Sequence, residues 1–187
     1  MPIACRAALV ATLALAATAS PALAGPPWIS VELPANPMDR TTKGAYLLVH
    51  SYHHERAIAL AVRGRAEGLV NGERRTIPLE LERTAREGVF AVRQSWPKDG
   101  NWVLVLSVGD ERGPATALVA IGRDGEVRSV RVPSRQQDGW TVPEVVTPAD
   151  VDRALRTLAQ REAGGAVQLG MLGGVMLLGL VGLVRRR

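Results

Sequence analysis

Between 28 and 133 the chain is a succession of short runs of β-branched, aromatic and leucine residues separated by turn-forming residues. This rhythm, with a turn signal roughly every eight to twelve residues, predicts an antiparallel β-sandwich. The predicted strands cover 28–33, 45–51, 57–63, 68–70, 76–81, 89–93, 102–108, 117–121 and 127–132. Alternation is clearest at Ile58, Leu60 and Val62, and at Ile77, Leu79 and Leu81, where every second side chain points to one face. The run 102–108 is apolar at nearly every position, which predicts a central strand covered on both faces. Asn71-Gly72 and Asp124-Gly125 are tight-turn signals, because both residues of each pair tolerate positive φ. Pro78 cannot donate to a ladder and places its strand at an edge or a bulge.

Beyond Pro133 the alternation stops, and 134–146 reads as a polar linker. Thr147-Pro148-Ala149-Asp150 then sets up a helix start. Thr147 caps, Pro148 suits the first helical position and Asp150 returns a hydrogen bond. The predicted helix covers 147–163 as a juxtamembrane element. Val151, Leu155 and Leu158 give it one apolar stripe, by which it either leans on the sandwich or serves as a stalk.

The two ends carry a different pattern. Residues 1–24 combine Arg6, a short apolar run and Ala22-Leu23-Ala24, the outline of a signal peptide cleaved before Gly25. Residues 166–184 hold no charge and are long enough to span a bilayer, and Arg185, Arg186 and Arg187 follow as a short cytoplasmic tail. The topology expected is a single-pass bacterial membrane protein with the 25–133 domain outside, periplasmic or extracellular. Gly170 and Gly174 have the spacing that lets membrane helices pack closely, so helix-mediated self-association is an open reading.

Charge reinforces this topology. The formal net charge is +5, yet four of the 23 basic residues sit at the two ends and none of the 18 acidic residues does. The body is close to neutral, which argues against a nucleic-acid partner. The single cysteine, Cys5, lies within the signal, so the mature domain is held by its core without disulfides.

The segment Gly88-Val89-Phe90, then Trp96-Pro97-Lys98-Asp99-Gly100-Asn101-Trp102 and the strand to Leu106, resembles the YtkA/FixH-like bacterial immunoglobulin-type domains, with fainter similarity over 43–122. The resemblance implies an immunoglobulin-like sandwich associated with membrane complexes, some of them concerned with metal handling or oxidase assembly. The C-terminal anchor departs from that family. The combined expectation is an all-β, immunoglobulin-like antiparallel sandwich followed by a short amphipathic helix and one C-terminal transmembrane helix. Within it Trp102 is a core residue, and Trp96 is core or partly exposed.

Candidate chemistry is sparse. All three histidines fall in His50-Ser51-Tyr52-His53-His54-Glu55, and imidazoles with a carboxylate could take Cu or Zn outside the cell. Adjacent His53 and His54 in an extended segment point to opposite faces, which weakens a shared site with His50. No nucleophile elbow, metalloprotease helix, phosphate loop or dinucleotide fingerprint is present. The expectation is a binding or assembly module that is not an enzyme, needs no cofactor and meets a membrane-protein partner. Two alternatives stay open. One is a metal-handling domain using His50, His53, His54 and Glu55, and the other is a surface protein released by C-terminal processing.

Overall fold

The computed structural model describes residues 26–33, 38–70, 72–110 and 113–163. The predicted signal 1–24, the span 166–184 with Gly170 and Gly174, and the tail 185–187 lie outside the described residues. Among the described residues no helix is long and apolar enough to cross a membrane.

The fold is mostly β. One antiparallel sheet has the order β1 (Trp28–Glu32), β2 (Leu47–His53), β7 (Val89–Val92) and β6 (Leu81–Arg83), with β3 (Arg56–Ala57) paired to the end of β2. A second has the order β10 (Val127–Arg131), β9 (Gly113–Ile121), β8 (Asn101–Asp110), β4 (Val62–Val70) and β5 (Glu73–Pro78). A separate hairpin joins β11 (Ser134–Gln137) to β12 (Trp140–Pro143).

The inward faces of the two large sheets share one core. Ile29, Leu47, Val49, Phe90 and Val92 come from the first sheet, and Ala66, Trp102, Leu104, Leu106, Val119 and Ile121 from the second. Trp102 is 1% exposed, and its indole N–H donates to the Asp99 carbonyl at 3.0 Å. Trp96 is buried too and meets Tyr46 edge to face, centroids 5.1 Å apart.

A helix α1, residues 148–163, covers the other face of the second sheet. Its Val151, Leu155 and Leu158, with Val146 before it, bury Val103, Val105, Leu118 and Ala120. This is why β8 is apolar on both faces: one side meets the first sheet and the other meets α1. The start of α1 is the expected box, with the Asp150 N–H donating to Thr147 Oγ1 at 3.3 Å and the Thr147 N–H to Asp150 Oδ2 at 3.1 Å. Polar tethers surround the stripe. Arg131 donates to Asp150 at 2.8 Å, Arg74 bridges Asp152 and Glu67, and Asn101 and Arg123 both reach Glu162 at 3.1 Å. Of the two roles left open for this helix, leaning on the sandwich is the one observed.

Several boundaries differ from expectation. The predicted strands 57–63 and 68–70 become the short β3 and one long β4, which runs through Gly64 and Gly68. A Cβ on Gly68 would lie 2.4 Å from Trp102 Cε3, and one on Gly64 would lie 2.9 Å from Leu106 Cδ2. Both glycines are places where large core side chains lie against the strand, not breaks in it. The predicted strand 76–81 divides between the two sheets, because the chain crosses at buried Leu79, whose N–H donates to the Gly64 carbonyl at 2.9 Å. Pro78 ends the edge strand β5, as expected. The stretch 134–146 is not a plain linker, since it holds the β11–β12 hairpin.

Candidate functional site

Two hairpin turns bound a broad cleft. The first closes β2 onto β3. Register pairs His53 with Arg56, leaving His54 and Glu55 as a two-residue loop with φ of +48° and +63°. Positive φ at both loop positions is the type I′ arrangement that suits the twist of a hairpin, normally with Asn or Gly in those places. Here a histidine and a glutamate occupy it, at a cost of about 1 kcal/mol each. The second turn closes β11 onto β12, with Gln137 opposite Trp140 and the loop Asp138-Gly139 at φ of +52° and +79°.

Both turns line a cleft of about 630 Å³. Trp28 and Tyr52, partners across the β1–β2 ladder, contribute two aromatic rings. Trp140 contributes a third and is 76% exposed, an unusual position for so large an apolar surface. His53 and His54 add their imidazoles, in edge-to-face contact with centroids 4.2 Å apart. Glu55 and Asp138 put a carboxylate on each turn, and among the described residues no lysine or arginine lines the cleft. The site is therefore a set of π faces with negative charge at its rim.

Three of the four candidate metal residues, His53, His54 and Glu55, line this cleft, while His50 does not. His50 Nε2 lies 2.8 Å from Glu32 Oε2, and Glu32 is also 3.5 Å from Arg86. Among the described residues no group of three or more His, Cys, Asp or Glu side chains is placed to hold a metal ion.

Trp28, Tyr52, Asp138 and Trp140 were not singled out as site residues by the sequence. The legible signal was Asp138-Gly139 followed by Trp140, a hairpin dipeptide before an aromatic, hidden in a stretch otherwise read as linker. Trp28 and Tyr52 look like ordinary strand residues until the register pairs them.

No family model, curated protein or solved structure matches this chain. The functional reading rests on the geometry of the cleft.

Proposed function

We propose that this chain is a non-catalytic binding module of a bacterial cell envelope: an immunoglobulin-like sandwich, exported by 1–24 and anchored by 166–184, that engages a membrane-protein partner outside the cytoplasm. The observation that carries the reading is the cleft itself, in which the large aromatic rings of Trp28, Tyr52 and Trp140 lie beside the carboxylates of two hairpin turns. Chemistry favours a cationic, extended segment of that partner as the occupant. Arginine or lysine side chains stack on tryptophan and tyrosine faces through attraction to the ring quadrupole, by about 0.5–2 kcal/mol per contact depending on desolvation. The carboxylates of Glu55 and Asp138 would pair with the same cations. The local strain at His54 and Glu55 also supports a binding role, since non-glycine residues persist in left-handed backbone where surrounding structure holds them for a purpose.

The test is a tryptophan-fluorescence titration of the full chain in neutral detergent with a tetra-arginine peptide, a tetra-glutamate peptide and an N-acetylglucosamine disaccharide. Quenching by the arginine peptide alone is expected, weakened about fivefold or more by Trp140→Ala and also by the pair Glu55→Gln and Asp138→Asn. Equal responses to both peptides, or a response only to the sugar, would contradict the reading.

A further inference from the structure

A second concavity, of about 170 Å³, runs along the seam between β10 and α1. Its floor is apolar, and the small side chains Ala120 and Ala154 on opposite sides leave the space open. Its walls carry four guanidinium groups, Arg128, Arg131, Arg153 and Arg161, and among the described residues Asp150 is the one acidic residue that lines it. The carboxylate of Asp150 is already engaged: Arg131 donates to it at 2.8 Å, Arg153 at 3.3 Å and the Thr147 hydroxyl at 2.7 Å. Arg128 pairs with Asp124 outside the cleft, and Arg161 has no ion-pair partner among the described residues. Four guanidinium groups thus line one recess with two carboxylates between them, Asp150 within it and Asp124 outside. Such a recess is stabilised by a bound anion, and planar guanidinium forks match the oxygens of a phosphate.

We propose that this seam binds a phosphate group, with Arg128 and Arg161 as its principal donors. Arg153 and Arg161 are eight residues apart on one helix face, about 12 Å, so the slot is elongated. Its Arg161 end lies next to residue 163, only three positions before the predicted span begins at 166. The phosphate is accordingly that of an anionic phospholipid headgroup, which would hold the sandwich against the bilayer surface. This choice of source rests on the membrane-anchored reading, whereas the phosphate chemistry does not.

Thermal unfolding of the full chain in neutral detergent at constant ionic strength separates these claims. The additions are short-chain phosphatidylglycerol, short-chain phosphatidylcholine and inorganic phosphate. A rise in the unfolding midpoint with phosphatidylglycerol and not with phosphatidylcholine is expected. The apparent affinity should fall about tenfold or more in Arg128→Gln/Arg161→Gln and hold in Arg156→Gln, a helix arginine outside the cleft. The double variant is read against its own ligand-free midpoint, because Arg128→Gln also removes the ion pair with Asp124. An equal, variant-sensitive rise with inorganic phosphate would support the site and assign it to the free anion, leaving the anchor untouched. No rise with either phosphate, or equal loss in Arg156→Gln, would overturn the proposal.

Discussion

A methyl group on Gly68 would lie 2.4 Å from Cε3 of Trp102, and the indole cannot retreat because it is buried and its N–H is held by Asp99. Gly68→Ala should therefore destabilise the domain by overpacking, by about 1–3 kcal/mol. Trp102→Ala should cost about 3–5 kcal/mol through the cavity it leaves. The two should be less than additive in urea unfolding, since the second relieves the clash made by the first. Tyr46 supplies a pH test. Burial, helped by Glu126 and Asp124, pushes its hydroxyl up to about 12 while that hydroxyl donates to the Gly125 carbonyl at 2.6 Å. A raised folded-state pKa means stability fully present below the unfolded value near 10 and lost as pH rises through about 12. Wild type should lose stability over that interval, and Tyr46→Phe should flatten this component of the loss in melts recorded from pH 9 upward. At this scale Trp102 was legible as a core residue from its apolar strand. The requirement for glycine at position 68 was not, because a glycine carries no pattern and the ring above it comes from another strand.

The packing of α1 makes the outer face of the second sheet part of the folded core. Leu155 is nearly fully buried between Val103, Val105 and Leu118. Leu155→Ala should cost about 2–5 kcal/mol and raise amide exchange across 148–163 more than in the first sheet. The Glu67–Arg74–Asp152 chain backs up this contact. Burial alone would push the Glu67 carboxyl up, but hydrogen bonds from Arg74 and Arg65 outweigh it and hold the group below its ordinary value. Its contribution is therefore present above the usual carboxylate range and lost as pH falls. Arg74→Met should make acid unfolding begin at a higher pH, read by circular dichroism. The sequence carried the helix stripe and its capping residues, and the two-sided hydrophobicity of β8 foretold a cover without saying what it was. It missed β11 because Ser134, Arg135, Gln136 and Gln137 are all exposed, and a strand with no buried face leaves no period-two signal. It merged β5 with β6 because the alternation at 77, 79 and 81 continues across the point where the chain changes sheets.

For the whole molecule, the proposed topology has a direct consequence. The full chain should stay in bacterial membranes through alkaline extraction, a chain ending at 163 should not, and intact mass should place the mature start at Gly25. Three of the seven residues that build the cleft, Trp28, Tyr52, His53, His54, Glu55, Asp138 and Trp140, were legible in the sequence, and His50 falls outside it. His53, His54 and Glu55 stood out as chemistry-bearing residues, but Trp28, Tyr52 and Trp140 join them only once two hairpins separated by some eighty residues share one cleft. The closest test of that cleft as the working surface is hydrogen–deuterium exchange of the full chain with and without the tetra-arginine peptide. Protection should appear together at 26–28, 52–57 and 137–142. Protection elsewhere with those three segments unchanged would contradict the assignment.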